Sequence, residues 1–209
     1  MLVKVPHGVS AVAAASASDN MPDAWRCVGP QLNADPGAEV LVVGGSGGPN
    51  SIGLYAVGLA LALGASRVVY LDHDSQRLDI AARFGAQIMD GLPPKKAGAF
   101  GITVDASGSA AGLQCALNST AFDGTCTSPS IYLTDPEIPM FSMYSRCCTL
   151  HTGRAHVRPA IPRVLELIAS GFDPTIVTSA VVPWTDAETA LADPPLKLVI
   201  ERSASKGTA

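Results

Sequence analysis

The feature that most constrains this chain is a glycine-dense turn set between an apolar run and a helical stripe. Val40-Leu41-Val42-Val43 leads into Gly44-Gly45-Ser46-Gly47-Gly48-Pro49-Asn50-Ser51-Ile52-Gly53, and Leu54-Tyr55-Ala56-Val57 follows. A second apolar run, Val68-Val69-Tyr70-Leu71, ends on Asp72. Strand, glycine turn, helix, strand and terminal acid are the parts from which a dinucleotide site is built. Glycines let backbone N–H groups approach a pyrophosphate, and a helix N-terminus adds partial positive charge. The acid accepts hydrogen bonds from an adenosine ribose. Asp72 stands 19 residues beyond Gly53, close to the spacing of about 20 that such sites show.

Inside the turn the spacing departs from G-x-G-x-x-G. Gly44 to Gly53 is nine steps where the motif has about five. Gly48, Asn50 and Gly53 restore the interval with Asn at the middle glycine, and Asn tolerates positive φ better than other side chains. Both registers stay open on sequence, and the plain alternative is a flexible turn that holds nothing. The candidate cofactor-binding set here is Gly44, Gly45, Gly47, Gly48, Asn50, Ser51, Ile52, Gly53 and Asp72.

Periodicity on either side predicts an alternating chain. Residues 10–28 read as one or two short helices broken near Pro22, and Asp35-Pro36-Gly37 as a turn launching a strand from Glu39 to Val43. Ile52, Tyr55, Ala56, Leu59 and Leu63 form one helical stripe closed by Gly64. Asp74 or Ser75 caps a helix through Leu78, Ala81, Ala82 and Phe84 that stops at Gly85, before a short strand over 86–90. A loop with the remnant of a helix covers 91–100. A strand over 102–105, a helix over 110–117 and a strand within 124–132 come next. After about Thr149 the pattern changes to a helix through Ile161, Val164, Leu165 and Ile168. Strands over 178–182 and 197–201 then flank a short helix over 187–192, and 203–209 reads as a frayed polar tail. This is the order of an α/β fold with a doubly wound parallel sheet.

Composition narrows the function classes. The 209 residues are 47% hydrophobic and 15% charged, with mean hydropathy +0.27, enough for a well-buried core. A net charge of −4, with no basic cluster beyond Lys95-Lys96, argues against nucleic acid. The longest apolar stretch, residues 51–65, falls short of the roughly 18 residues of a membrane span. Five cysteines without a C-x-x-C pair point to a reducing cytoplasm. The Ala/Ser run over 11–18 lacks the basic and apolar regions of an export signal. The four histidines have no two-His helix spacing for a metal. Cys147-Cys148, Trp25 and Trp184 read as packing residues.

Several segments then fall in the order of a known family. They are Ala13-Ala14-Ala15 to Trp25, Val40 to Asp74, Val104-Asp105-Ala106-Ser107-Gly108, Thr152-Gly153-Arg154 and Lys197-Leu198-Val199-Ile200. The chain resembles the medium-chain dehydrogenases, specifically their zinc-dependent alcohol dehydrogenase branch. The resemblance runs over nearly the whole chain but covers only the rear half to three-fifths of a typical member. It implies a Rossmann domain over residues 24–151. Residues 1–23 are then a remnant of the catalytic domain with a lead-in helix, and 152–209 are its return segment. The GroES-like barrel with the Cys and Gly-His-Glu zinc ligands, the structural zinc lobe and the proton relay would lie ahead of Met1.

The resemblance adds candidate residues. Arg77 matches a basic position at the adenosine ribose, Asp105, Ala106, Ser107 and Gly108 a strand end at the cofactor, and Lys197 a basic residue at the pyrophosphate. Asp19, six before Trp25, matches the third ligand of the catalytic zinc; read from its own neighbours it is an N-cap ahead of Met21-Pro22. The implied reaction is hydride transfer between nicotinamide and an alcohol or aldehyde. Zinc would be needed only in a full-length parent, and this chain would be inactive alone. NAD is expected over NADP, because Asp72 would repel a 2′-phosphate. A homodimer is expected through an edge strand near Ile138 to Tyr144. Leu198, Val199 and Ile200 are expected to lack sheet partners. The rivals are a non-catalytic dinucleotide-binding module and an S-adenosylmethionine-dependent methyltransferase.

Overall fold

A computed structural model describes residues 2–202. Six strands form the main sheet: β1 (Val40–Val43), β2 (Val68–Asp72), β3 (Gln87–Asp90), β4 (Phe100–Asp105), β5 (Thr120–Ser128) and β6 (Thr149–Thr152). They lie in the order β3-β2-β1-β4-β5-β6, and every pairing is parallel. That is the doubly wound order, in which the chain reverses direction beside β1 and leaves a crevice at the carboxyl ends of the strands.

Burial on both faces follows from alternation along the strands. Val40 and Val42 of β1, Val68 and Tyr70 of β2, and Ile102 and Val104 of β4 join one buried cluster. It is covered by α2 (Asn20–Ala34) and α3 (Asn50–Ala62), the helices that follow the short α1 (Ala11–Ala14). Leu41, Val43, Val69 and Leu71 point the other way, to Leu113 and Leu117 of α5 (Ala110–Ser119). Strands buried on both faces read as continuous apolar runs, which is why β1 is Val-Leu-Val-Val. On the same face as α2 and α3, α4 (Ser75–Phe84) returns the chain from β2 to β3. The Asp74 carboxylate caps α4 by accepting from the Arg77 N–H at 2.9 Å, and Gly85 ends it at φ +100°.

The first helical segment breaks at Asp19 (φ −151°, ψ −76°) rather than near Pro22. Pro22 sits in the first turn of α2, where a backbone N–H has no helical partner to lose. Pro30 lies inside the same helix, and the Arg26 carbonyl that it cannot bond accepts from Gln31 Nε2 at 3.1 Å instead.

The later part of the chain departs more from expectation. Residues 140–145 form a helix, α6 (Met140–Ser145), so the apolar stretch Ile138 to Tyr144 is not an edge strand. The sheet edges are β3 and β6, and β6 is one that sequence did not single out. Strand β5 begins at Thr120 and ends at Ser128, leaving 129–132 as loop. After α7 (Ile161–Ala169), β7 (Ala180–Pro183) pairs in parallel with β8 (Leu198–Glu201) across α8 (Ala187–Ala192). Leu198, Val199 and Ile200 thus have sheet partners in Ala180, Val181 and Val182, contrary to expectation, and Val199 is buried. The expected frayed tail over 203–209 lies outside the described residues.

Candidate functional site

Helix α3 starts at Asn50, so the turn between β1 and α3 runs from Gly44 to Pro49. Gly44 leaves the strand, its N–H donating to the Leu71 carbonyl at 2.8 Å. Gly53 lies in the first turn of α3, where a Cβ would come within 2.8 Å of Ala106 Cβ. Those are the strand-leaving and helix-packing duties of the outer motif glycines, separated by extra residues. Gly48 meets the end of β4, since a Cβ there would overlap the Ala106 carbonyl oxygen. Gly45 and Gly47 lie against Ser107 and Gly108, and Gly108 itself (φ +63°) abuts Gly47. The glycine turn and the 106–108 segment thus meet backbone to backbone. Ser51 is half-buried in the first turn of α3, beside Asn50, whose Oδ1 is buried without a hydrogen-bond partner.

Asp72 is buried at the end of β2 with no exposed side-chain surface. Arg77 grips it with a two-pronged contact, Nε donating to Oδ2 and Nη2 to Oδ1, both at 2.7 Å. Tyr70 donates its hydroxyl to Oδ2 at 2.8 Å, and the N–H groups of His73 and Asp74 donate to Oδ1 at 2.7 and 3.1 Å. Burial alone would raise this carboxyl, but the Arg77, Tyr70 and backbone donors outweigh it and hold it below the usual carboxylate value. Asp72, expected to accept from a ribose, already accepts from five donors within the chain. Arg77, expected at the ribose, is spent on Asp72 and approaches Asp74 at 3.7 Å. Sequence missed Tyr70, although a residue two before Asp72 on a strand must share its face.

Asp105 is a second buried hub. It accepts from Ser107 Oγ at 2.6 Å, Ser128 Oγ at 2.8 Å and the Tyr132 hydroxyl at 2.7 Å, while its carbonyl accepts from Ser130 Oγ at 2.9 Å. Burial first, and then the Asp105 charge, push the Tyr132 phenol well above its ordinary value, so its proton stays on the hydroxyl. The carboxylate of Asp105 therefore ties strand ends together and is not presented to a ligand. Ala106 and Ser107 are buried with it.

Beside this hub lies a cavity of about 680 Å³. Gly47, Gly48, Pro49 and Ile52 form one wall, 129–132 after β5 another, and 152–155 after β6 a third. Asp19 and Asp23, one helical turn apart at the start of α2, complete it. Asp23 was not foreseen. Its Oδ1 accepts from Arg26 Nε at 2.5 Å, and Arg26 Nη2 donates to the Gly153 carbonyl at 2.9 Å, so one ion pair pins α2 to the loop after β6. Burial raises the Asp23 carboxyl above the usual value, with Arg26 pulling it back.

Asp19 stands at the N-cap position of α2, but its side chain makes no capping hydrogen bond. Lys197 does not reach the glycine turn: its ammonium donates to Asn20 Oδ1 at the start of α2. Burial lowers the Lys197 pKa, with Asp19 opposing the fall. Among the described residues no three His, Cys, Asp or Glu side chains converge to hold a metal. Asp19 is one donor, and a catalytic zinc takes three from the protein. The described residues do not make a zinc site by themselves. No helix among the described residues is long and apolar enough to cross a membrane.

No protein-family model and no curated protein sequence matches the chain. Solved structures do. The alcohol dehydrogenase TADH from Thermus sp. ATN1 is 27% identical, with a TM-score of 0.76 over 95% of this chain and 62% of its own. A protein of Escherichia coli CFT073 described as a short chain alcohol dehydrogenase, complexed with NADH, is 17% identical, with a TM-score of 0.75 over 95% and 61%. A zinc-binding dehydrogenase from Sinorhizobium meliloti 1021 bound to NADP is 18% identical, with a TM-score of 0.75 over 95% and 61%. The chain therefore spans less than two thirds of these structures. Its architecture is that of the C-terminal portion of the zinc-dependent medium-chain alcohol dehydrogenases.

Proposed function

We propose that this chain is the NAD-binding portion of an oxidoreductase of the zinc-dependent alcohol dehydrogenase type. Such an enzyme passes a hydride between an alcohol (or an aldehyde or ketone) and nicotinamide. The observation that carries the reading is the cavity itself. It opens at the carboxyl ends of the strands, beside β1, with the glycine turn and the start of α3 as one wall. Open α/β sheets bind ligands in that crevice.

The residues fit a dinucleotide unevenly. Gly47, Gly48 and Ile52 border open space and would take the pyrophosphate, whereas Asp72 could meet a ribose only by exchanging one of its five donors. Nicotinamide, when bound, supplies the hydride acceptor. The chain's own part is to seat and orient it: Ile52 and Pro129 present apolar surface, and the Asp105 hub fixes Tyr132 on the facing wall. Charge favours NAD over NADP. Asp72, Asp74 and Arg77 together carry one net negative charge, with Arg77 engaged by both acids, so a 2′-phosphate meets repulsion. Assembly as a homodimer through β6, one of the two edges of the main sheet, belongs to the same proposal; Phe141 and Tyr144 are exposed on the helix leading into it.

A second reading, a dinucleotide-binding module without turnover, is favoured by the lack of a metal-binding trio among the described residues. Titrating the purified chain with NAD, NADP and S-adenosylmethionine tests the first reading. NAD is expected to bind about tenfold or more tighter than NADP, and S-adenosylmethionine not to compete. Equal or tighter NADP binding sinks the NAD assignment, and preference for S-adenosylmethionine sinks the dehydrogenase reading. Zinc and a panel of alcohols are expected to give no turnover with this sample on either reading, since Asp19 is a single donor; zinc-dependent, chelator-sensitive NADH production would overturn both.

A further inference from the structure

We propose that Asp23 is a specificity residue that biases this cavity toward the oxidised, cationic nicotinamide ring and against the neutral reduced one. The inference rests on the dinucleotide reading above and goes a step beyond it.

Topology decides which half of the ligand lies here. Asp72, the acid on the adenosine side, ends β2 on one flank of β1. The cavity extends to the other flank, from the glycine turn toward the loops after β5 and β6 and the start of α2. A pyrophosphate at Gly47 and Gly48 therefore directs the half opposite the adenosine, the nicotinamide half, into the cavity that Asp23 lines.

Asp23 is placed for an electrostatic role. Its side chain is only 13% exposed, so its charge is poorly screened by water. Arg26 pairs with it and donates to the Gly153 carbonyl, but Asp23 is among the residues that line the cavity and Arg26 is not, so the negative member of the pair borders the ligand space. Lys197 is engaged with Asn20 and is absent from the cavity wall. Asp19 adds a second carboxylate one turn earlier on the same wall. Arg154 lines the wall after β6, one cation set against the two carboxylates of Asp19 and Asp23. Arg154 is unchanged across the Asp23 variants, so a difference between them reports the Asp23 charge alone.

Asp23→Asn isolates that charge, because the amide oxygen can still accept from Arg26. Calorimetric titration would compare NAD, NADH and ADP-ribose, the last lacking the ring, on the wild-type chain, Asp23→Asn and Asp23→Glu. In Asp23→Asn the preference for NAD relative to NADH is expected to fall about tenfold, the size of one lost charge contact in a partly buried site. Asp23→Glu should retain the wild-type ratio, and ADP-ribose affinity should stay the same in all three proteins. An unchanged NAD-to-NADH ratio in Asp23→Asn, with ADP-ribose still bound, overturns the proposal and leaves the dinucleotide reading standing. Loss of ADP-ribose binding in Asp23→Asn alone shows a structural role and also overturns it. Failure of all three ligands on the wild-type chain overturns the dinucleotide reading, and this proposal with it.

Discussion

Asp72→Ala is expected to cost the fold about 3–5 kcal/mol, the usual penalty for leaving one member of a buried ion pair alone. Arg77 would keep its charge with only 9% of its side chain exposed, and the Tyr70 hydroxyl would lose its acceptor in the core. Urea unfolding followed by circular dichroism measures this directly. The effect should depend on pH in a defined sense. The folded pKa of Asp72 lies below its unfolded value, so the stabilisation is complete above the unfolded carboxylate pKa of about 3.9. It is lost as pH falls through the lowered folded value. The gap between wild type and Asp72→Ala should therefore be full at pH 6 to 7 and shrink below about pH 4. A variant that loses less than about 1 kcal/mol at neutral pH would show that the pair is not a structural element.

The second large effect is expected at Gly48. A methyl group there would overlap the Ala106 carbonyl and crowd the Ser107 backbone, neither of which can swing aside as a side chain can. Gly48→Ala should push the turn away from β4, costing about 1–3 kcal/mol, as overpacking does. Because the same residue borders the cavity, NAD affinity should fall about tenfold or more, the effect of misplacing one charged contact. Ser46→Ala, on the exposed side of the turn, is the control and should stay within about 0.5 kcal/mol of wild type. Equal NAD affinity in Gly48→Ala and Ser46→Ala would remove the glycine turn from the site.

What sequence made legible follows the range of the interactions. The alternation of period-two and period-3.6 segments is local, and it carried the parallel sheet, the cap at Asp74 and the stop at Gly85. Gly44 and Gly53 were visible, but their register waited on where α3 begins, a question of packing against Ala106. Asp72 was found as a strand-end acid, yet its closure by Tyr70 and Arg77 was not. A helix residue five positions on can reach back only once the turn between them is fixed. Asp105 and Tyr132 stand 27 residues apart, and no local pattern links them. The edge strand was misplaced to 138–144 because an apolar stretch too short for periodicity reads equally as helix or strand. Both β7 and β8 were foreseen as strands, but their pairing was not, because it is made across the intervening α8 and no local pattern records it.

On the proposed function, the glycine turn, α2 and the loops after β5 and β6 together form one dinucleotide pocket. Amide chemical-shift mapping of the labelled chain with increasing NAD tests it most directly. Saturable shifts are predicted at Gly47, Gly48, Ile52, Ile131, Tyr132, Gly153 and Arg154, with Asp23 among them and the β7–β8 sheet unaffected. Shifts confined to other surfaces, or none at millimolar NAD, would contradict it.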